Sequence, residues 1–540
     1  MTKIFSNCAE SLSDTKNAPS TDVNDLGWKC QGLRHCYNPR KPFVPQASAT
    51  IVMPHEFLSD YLSKLQDAGE LVRIAPMVDP ALEVAAITEQ ACRQPGGGPA
   101  LLFEKPKNSS IPILTNLLGS RRRLCLALGI DSLDQLVDKL NRLMQPESGG
   151  WLEALKLVPS MAGLAKFTPR VIKTAVCQQV VKLGRDVNLW DLPIPRCWPE
   201  EANPVITAAQ ILTQDSATSE RSVARFPVQV FGQQQLIPHW HRHHASYHHW
   251  QAAVREQRQL PIAIALGGDP LNLLMTAAPA LGSSSDTLLL GGFLRGAAID
   301  LVKARSIEME VPAASEIVLE GYIDYAAPVV EAPVIANSSG HYVPAEPLPV
   351  IQVTAVTHRA NPILPAIVPG RPPSEESWIA LAMERLSLAA IKATIPEIVD
   401  IHLPFAGASR YLLFVSLQKN HPSHARQVLN ALWGSRLLGL NKTIVLVDAD
   451  VNVQCENEVW YAVGSHANPG RDLIIAEGPT HMDDHTNQYR GTGQKLGIDA
   501  TRKHPEEAHS RNWPKSLSMP EELLTQLRSR AAELGIAHWQ

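Results

Sequence analysis

"YLLFVSLQKNHPSHARQVLNALWGSRLLGLNKTIVLVDADVNV", residues 411–453, joins two short apolar runs through a segment with helical spacing. The first run, YLLFVSLQ, and the second, KTIVLVDADVNV, have the length and composition of buried β-strands. Between them, SHARQVLNALWGSRLLG carries its apolar residues at intervals of three and four. Strand, helix and strand in this order predict a βαβ unit with parallel pairing and a right-handed crossover.

The chain before this unit contains a second α/β segment, at residues 53–178. PHEFLSDYLSKLQDAGELVRI has an apolar helical stripe that stops at Gly69 and is followed by a short strand. LEVAAITEQACRQ then predicts another amphipathic helix, and GGGPALLFEKP predicts a turn into a buried strand. Residues 1–52 are rich in Ser, Asn, Asp and Pro without a sustained period, so we expect a mostly disordered extension.

The region between the two α/β segments, residues 179–358, has a different pattern. Its short β-branched runs are separated by turn residues, and one helix is predicted at HHWQAAVREQRQ, residues 248–259. This composition favours a β-barrel around a site. We therefore predict an α/β (α+β) protein whose last α/β domain covers residues 359–520, followed by a C-terminal helix or tail at residues 521–540.

Composition and charge exclude several classes of partner. The chain has 540 residues and a net charge of −4, with Lys+Arg 49 against Asp+Glu 53. Without a basic field, nucleic acid is not an expected partner. The sequence has no apolar run long enough to span a bilayer and begins without a secretory signal, which predicts a cytoplasmic protein that is not transmembrane. Peripheral membrane association stays open.

Several sequence blocks occur in the order, and at about the spacing, of one known family. The sequence resembles the UbiD decarboxylases, above all the bacterial branch that acts on 3-polyprenyl-4-hydroxybenzoate, over about residues 54–515. The resemblance implies an N-terminal α/β segment, a central split β-barrel of flavin-reductase type, and a C-terminal α/β domain used for oligomerisation. The blocks are GGGPALLFEKP, LPIPRCWPEEANPVITAAQILT, EMEVPAASEIVLEGYI, GRPPSEES, PEIVDIHLP, VLVDADVNV, NPGRDLII and GQKLGIDATRK.

The resemblance also implies the chemistry. Family members use prenylated FMN to remove CO2 from an unsaturated or aromatic acid, and an Arg with two acidic residues completes the reaction centre. A divalent metal, usually Mn2+, with K+ nearby, bridges the cofactor phosphate to an Asn, a His and a Glu. The implied substrate is an aromatic or polyprenylated hydroxybenzoate or naphthoate, as in quinone biosynthesis. A flavin prenyltransferase would supply the cofactor, and the protein would form a homo-oligomer.

A dense histidine run is the first candidate for the metal site. Six of the nineteen histidines lie between His239 and His249. Matching LIPHWHRHHAS to the family block puts His243 at the metal-ligand histidine. The spacing alone also permits a solvated face, or a strand face that binds metal adventitiously, because alternate strand residues share one side. At the position of the family's Glu stands Thr287, preceded by Asp286.

Two alignments compete for the catalytic arginine. Without a gap, the family's Asn falls on Ser222 and its Arg on Pro227, which removes the charge. A two-residue shift instead places Glu220 at the Asn and Arg225 at the Arg. We prefer the shift because a bulge can absorb two residues without changing the facing of a strand, and because it retains a guanidinium where a carboxylate must bind. The alternative is an ordinary strand arginine facing water.

The acidic positions depart most from the family pattern. In VVEAPVIANSSGHY, residues 329–342, Glu331 stands at the acid that holds the arginine, which predicts an Arg225–Glu331 pair. Ala336 stands at the proton donor and cannot protonate a carbanion. Water, Glu331 itself or His341 remain possible sources of the proton. The alternative for Glu331 is a surface strand residue.

Three further positions follow from the resemblance. Thr207, in NPVIT, lies in a block that contacts the cofactor, and Arg436, in WGSRLLG, lies where a basic residue meets the cofactor phosphate. The GRPPSEES turn, with Arg371 and Glu375, borders the substrate side or only precedes a helix. Two functions stay open: a prenylated-FMN-dependent carboxy-lyase, or a catalytically impaired paralogue that keeps the scaffold for a binding role.

Overall fold

A computed structural model describes residues 57–144, 165–215, 217–278, 287–507 and 513–536. The extension predicted at residues 1–52 lies outside these ranges. Within them, the α-helices are Leu58–Asp67, Glu83–Cys92, Arg121–Leu128, Asp134–Met144, Ala245–Arg255, Pro270–Met275, Thr287–Arg295, Glu375–Lys392, His424–Gly434, Glu456–His466, Pro469–Asp472 and Glu521–Ser529. No helix of the described ranges is long and apolar enough to cross a membrane.

The N-terminal segment combines helices with a mixed four-stranded sheet. The helix Leu58–Asp67 buries its apolar stripe, as predicted. The last strand of the sheet comes from far along the chain, so the N-terminal segment and the chain after the barrel share one sheet. In spatial order its strands are Leu71–Val78, Ala100–Pro106, Ile113–Thr115 and Leu364–Ala366.

The central region is a nine-stranded antiparallel sheet. One edge of the strand Ile351–His358 pairs with two other strands, with Leu236 opposite Ile351 and Leu183 opposite Ala355. Its other edge pairs with the strand Ile317–Ile323. One strand therefore connects two branches, as a split barrel requires, and the predicted fold class is confirmed. The remaining strands are Val180–Leu183, Val205–Ile206, Ala209–Gln214, Arg221–Ala224, Val228–Gly232, Gln235–Pro238 and Leu260–Leu266.

The barrel helix is shifted from its predicted position. It covers Ala245–Arg255 instead of residues 248–259. Ser246 is buried and accepts a hydrogen bond from the Thr213 hydroxyl at 3.0 Å, which draws the first turn against the sheet. Gln257 has a positive φ of 53°, which ends the helix before its predicted last residue.

The C-terminal region contains the predicted βαβ unit. Leu412–Leu417 and Thr443–Asp448 pair in parallel, and the helix His424–Gly434 connects them. The helix is shorter than predicted because Ser435 adopts an extended conformation and its hydroxyl bonds the carbonyl of Leu432 at 2.8 Å. The five strands of this sheet are, in spatial order, Ile398–His402, Leu412–Leu417, Thr443–Asp448, Thr492–Asp499 and Leu473–Pro479.

Smaller β elements complete the described structure. Two ribbons carry the positions at which the family's acids are expected. A three-stranded sheet packs its buried residues with barrel strands. The ribbons are Val330–Ala332 with Glu346–Leu348 and Ile335–Ala336 with Tyr342–Val343, and the small sheet is Glu310–Pro312, Asp300–Lys303 and Arg170–Ile172.

Candidate active site

A buried ion pair joins the barrel to the helix that follows it. Arg225, directly after the strand Arg221–Ala224, donates from Nη2 to Oε2 of Glu376 at 2.9 Å and from Nη1 to Oε1. Only 12% of the arginine side chain and 18% of the glutamate side chain are exposed. The guanidinium fork therefore meets both carboxylate oxygens, the geometry that gives an arginine a fixed orientation.

The local sequence favours a carboxylate at this place. Glu376 lies in the first turn of the helix Glu375–Lys392. A hydrogen bond from the backbone N–H of Ser374 to the hydroxyl of Ser377, at 3.3 Å, caps the start of this helix. A helix N-terminus stabilises negative charge. Burial opposes ionisation of Glu376, but Arg225 and then Arg410 outweigh it, so the pKa of Glu376 lies below its usual range.

The predicted pair between Arg225 and Glu331 is wrong. Glu331 is exposed on the strand Val330–Ala332, where it lies opposite Pro347. Because side chains alternate across a strand, its neighbour Ala332 is the residue that is buried. The alternative of a surface strand residue describes Glu331.

A second set of charged groups connects the barrel to the C-terminal sheet. Arg410 donates from Nη1 to Oδ2 of Asp483 at 3.0 Å and from Nη2 to the hydroxyl of Ser338. His241 Nε2 lies 3.5 Å from Oδ1 of the same aspartate. Burial opposes ionisation of Asp483, but His241 and Arg410 outweigh it and hold the pKa of the carboxyl below its usual range. Arg410 also lowers the pKa of Glu376, which shows that the two ion pairs are electrostatically coupled.

Two histidines of this region, His244 and His481, are neutral at physiological pH. Burial lowers the pKa of His241 below its usual range and that of His244 and His481 to about 3. The ring of His244 stacks on His241 and on Phe226, each at 5.4 Å between ring centroids. His244 and His481 therefore add no positive charge to the site.

The histidine run does not form one strand face. The strand ends at Pro238 and the helix begins at Ala245, so the six side chains diverge. His239 bonds Gln229 at 3.2 Å, and His249 bonds Thr213 at 2.9 Å. His241 was not identified from the sequence, because a dense histidine run does not show which member contacts an aspartate on a distant element.

The predicted metal ligands do not form a three-ligand group among the described residues. Glu220 and His243 are both exposed, and the histidine whose pKa responds to Glu220 is His249. Within the ranges that the structure describes, no group of three or more His, Cys, Asp or Glu side chains is arranged to hold a metal ion. Thr287 directs its hydroxyl to the carbonyl of Val223 at 3.5 Å, and Asp286 lies outside the described residues. The described residues therefore do not fit a divalent metal.

The two predicted cofactor contacts differ in setting. Thr207 is buried, and its hydroxyl accepts a hydrogen bond from the backbone N–H of Ile367 at 2.9 Å. This bond attaches the chain after the barrel to a barrel strand. Arg436 is exposed beyond the end of the helix His424–Gly434. Its side chain remains accessible to an anionic group.

The barrel carries buried polar atoms that have no hydrogen-bond partner among the described residues. Some are donors and some are acceptors, as the polar edge of a flavin ring requires. Such atoms are costly unless a ligand or water satisfies them. A bound flavin is one ligand that could supply partners to such atoms. The atoms are Gln210 Oε1, Gln229 Nε2, Trp240 Nε1, His241 Nδ1 and Asn272 Oδ1.

A carboxylate occupies the neighbourhood of the missing acid. Glu201 is buried and accepts a hydrogen bond from the backbone N–H of Ala336 at 3.0 Å. Its other oxygen accepts from the backbone N–H groups of Cys197 and Trp198 at 2.9 and 3.0 Å. Burial raises the pKa of Glu201, against the effect of these bonds. The sequence analysis did not single out this residue, whose contact with Ala336 spans 135 positions.

Glu375, the neighbour of Glu376, has an unusual environment. It is 2% exposed, and its Oε1 accepts a hydrogen bond from the backbone N–H of Leu118 at 2.7 Å. Its Oε2 is buried without a partner among the described residues. Burial raises the pKa of Glu375 to about 7. Arg371, in the same turn, is exposed.

Family models match three consecutive parts of the chain. The model described as the 3-octaprenyl-4-hydroxybenzoate carboxy-lyase N-terminal domain matches residues 62–142. The Rift-related domain of the same description matches residues 170–372, and its C-terminal domain matches residues 377–500. These matches follow the three structured regions of the chain.

Individual proteins are similar over nearly their whole length. An uncharacterised protein of Aquifex aeolicus is 39% identical over 480 residues, 89% of this chain and 98% of its own. The UbiD-class enzyme HmfF from Pelotomaculum thermopropionicum, in complex with FMN, is 29% identical with a TM-score of 0.71, covering 86% of this chain and 97% of its own. An evolved dimeric form of HmfF was solved with prFMN.

A second solved enzyme has a higher structural similarity. The vanillic acid decarboxylase of Sedimentibacter hydroxybenzoicus, in its closed form, is 26% identical with a TM-score of 0.78. The alignment covers 88% of this chain and 98% of that one. The similar solved structures thus include a flavin-bound enzyme and a decarboxylase of an aromatic acid.

Proposed function

This chain belongs to the UbiD family of decarboxylases, and from that membership we propose that it removes CO2 from an aromatic acid with the help of prenylated FMN. The proposed substrate class is an aromatic or polyprenylated hydroxybenzoate or naphthoate, as in quinone biosynthesis. The FMN and prFMN complexes of HmfF and the aromatic substrate of the vanillic acid decarboxylase support this assignment.

The observation that carries the proposal is the buried pair of Arg225 and Glu376. Glu376 holds both terminal nitrogens of the guanidinium, while Nε of Arg225 is buried without a partner in the described part of the chain. An oriented N–H donor is therefore free for the carboxylate of a substrate. A charge-assisted bond of this kind positions a carboxylate and stabilises it until it leaves as CO2.

The flavin and the protein have separate tasks in this proposal. Prenylated FMN, when bound, supplies the dipolar partner that accepts electrons from the substrate carbon. The barrel residues with unpartnered polar atoms orient the flavin, with Thr207 close to it and Arg436 available to its phosphate. Since the described residues do not fit a divalent ion, we assign no step to Mn2+ or K+.

The remaining partners follow from family membership. A flavin prenyltransferase is the proposed supplier of the cofactor. The dimeric form of HmfF supports a homo-oligomer, and the interface proposed for it is the region of about residues 400–515. A cytoplasmic location remains a prediction.

A second candidate function is a catalytically impaired relative that binds a flavin or a partner. Two observations favour it. Ala336 stands where the family pattern has an acid, and its backbone N–H is occupied by Glu201. The predicted metal ligands Glu220 and His243 are also exposed, and no three-ligand group lies among the described residues. Binding and catalysis must therefore be measured separately.

The test is to express the full chain together with a flavin prenyltransferase and to record the mass and absorption spectrum of the flavin that co-purifies. CO2 release is then measured on a panel of aromatic acids, with Arg225→Ala as the comparison. The enzyme proposal expects bound prenylated FMN, CO2 release by the wild type, and loss of release with retained flavin in the variant. Flavin without CO2 release from any acid favours the impaired relative, and absence of flavin contradicts the cofactor assignment.

A further inference from the structure

A second carboxyl group lies next to the Arg225–Glu376 pair and forms no ion pair with any residue that the structure describes. Glu375 and Glu376 are consecutive residues in the first turn of one helix. Glu376 is neutralised by the bidentate contact with Arg225, whereas Glu375 receives one neutral hydrogen bond, from the backbone of Leu118. The surrounding groups therefore neutralise the carboxylate of Glu376 but not that of Glu375.

The groups that face Glu375 confirm this imbalance. Arg123, from the helix Arg121–Leu128, is fully buried, and its Nη1 donates to Glu70 at 2.8 Å. Each of the two arginines near Glu375 thus contacts another carboxylate, Glu70 for Arg123 and Glu376 for Arg225, and the exposed Arg122 also contacts Glu70 at 3.4 Å. An ionised Glu375 would be a buried charge without an ion-pair partner among the described residues.

Two other titratable groups pack against Glu375, and neither supplies a positive charge. Burial and the nearby Glu375 raise the pKa of the Cys92 thiol to about 12. The hydroxyl of Tyr61 donates to the carbonyl of Arg123 at 2.7 Å, and burial raises its pKa above the usual range. Both groups stay neutral at physiological pH, so they do not change the charge count around Glu375.

We propose that Glu375 is a positioning residue that holds a proton beside the Arg225–Glu376 pair, and that this proton sets the charge that the site presents to an anionic substrate. With Glu375 neutral, Arg225 and Glu376 balance each other and a carboxylate can approach the free Nε. With Glu375 ionised, the three groups carry one net negative charge, which repels the carboxylate. This inference rests on the proposed function, because it concerns the same carboxylate site.

The linkage has a definite sign. A bound carboxylate favours the neutral form of Glu375, so binding near neutral pH takes up a proton from solution. Burial places the pKa of Glu375 at about 7, and the affinity for an anion should fall as the pH rises above that value. The limit is about a tenfold loss of affinity per pH unit for a single coupled proton.

The experiment uses the full chain loaded with FMN and two probes, 4-hydroxybenzoate and its uncharged analogue 4-hydroxybenzamide. Dissociation constants are measured by calorimetry across the neutral pH range, and the proton uptake is obtained from two buffers of different ionisation enthalpy. We expect the affinity for 4-hydroxybenzoate to fall with pH in the wild type, and the affinity for the benzamide to stay constant. Glu375→Gln should remove both the pH dependence and the proton uptake.

Glu316→Gln is the matched control. Glu316 is also 2% exposed and has a pKa raised by burial, but it pairs with Arg359 at 2.8 Å, in another part of the barrel. This variant should keep the wild-type pH profile. A pH profile that is flat in the wild type, retained in Glu375→Gln or lost in both variants would overturn the inference.

The two proposals fail in different ways. If no FMN binds to the wild type, the flavin assignment of the proposed function is wrong. If FMN binds but 4-hydroxybenzoate shows no binding at any pH, or no proton uptake, the role of Glu375 is wrong. The proton uptake is measured on the wild type alone, so it decides the inference even if a variant fails to fold.

Discussion

Replacing Glu375 by Gln should change how the stability of the protein depends on pH. The glutamine has nearly the same size and can still accept the hydrogen bond from Leu118, but it cannot ionise. In the folded protein, burial raises the pKa of Glu375 from its ordinary 4.5 to about 7. Between these values the native state binds more protons than the unfolded chain, so the free energy of unfolding falls as the pH rises.

The magnitude follows from the two pKa values. At about 1.4 kcal/mol per pH unit, wild-type stability should lose about 2–3 kcal/mol through this group between about pH 5 and pH 8. The loss of stability is complete above the pKa that Glu375 has in the folded protein, and it is absent below the pKa that Glu375 has in the unfolded chain. Glu375→Gln should not show this loss, because it has no proton to release.

The assay is urea denaturation of both proteins at a series of pH values, with the difference between their unfolding free energies as the quantity compared. Groups that titrate equally in both proteins cancel in this difference. We expect the stability of the variant relative to the wild type to improve steadily as the pH rises from about 5 to 8. A difference that does not change with pH would refute the assignment of a proton to Glu375.

The remaining predictions concern the ion pair, the metal, the inter-region contact and the assembly. Arg225→Ala leaves Glu376 buried without its bidentate partner, so denaturation should show a loss of about 3–5 kcal/mol; a change below about 1 kcal/mol would contradict a buried pair. Because Glu220 and His243 are exposed and the described residues contain no three-ligand group, EDTA treatment should leave the dissociation constant of FMN unchanged, and a marked rise would show a metal requirement. Thr207→Val removes the acceptor for the N–H of Ile367 and should cost about 1–3 kcal/mol in the same denaturation assay, where no cost would mean that the bond is replaced. Light scattering should show a homo-oligomer, and a stable 59.0 kDa species across micromolar concentrations would argue against assembly.

The sequence predicted the architecture because hydrophobic periodicity is local. The apolar stripe of Leu58–Asp67 and the parallel strands Leu412–Leu417 and Thr443–Asp448 lie where the pattern placed them. The burial of apolar side chains determines where these elements form, and their apolar pattern can be recognised within a short window of sequence. Their ends were less accurate, since single contacts such as the bond of Ser246 to Thr213 determine where a helix begins.

The site was harder to predict because its partners come from distant elements. Arg225 was predicted to pair with Glu331, but its carboxylate partner, Glu376, lies 151 positions further along the chain. Glu331 matched the family motif, yet strand alternation turns its side chain to the surface. Beyond the end of the strand, the spacing of the histidines does not show where each side chain points. The contact of His241 with Asp483 therefore has no signal in the local sequence. Such contacts depend on tertiary packing.

The cluster formed by Arg225, Glu376, His241, Arg410 and Asp483 limits how this protein can be recombined with its relatives. Its charged groups come from the barrel, the following helix and the C-terminal sheet. A chimaera that exchanges only the C-terminal region would give His241 and Ser338 new neighbours in place of Asp483 and Arg410. The barrel alone therefore lacks the partners of these side chains. An exchange between relatives should extend from the first barrel strand through residue 483.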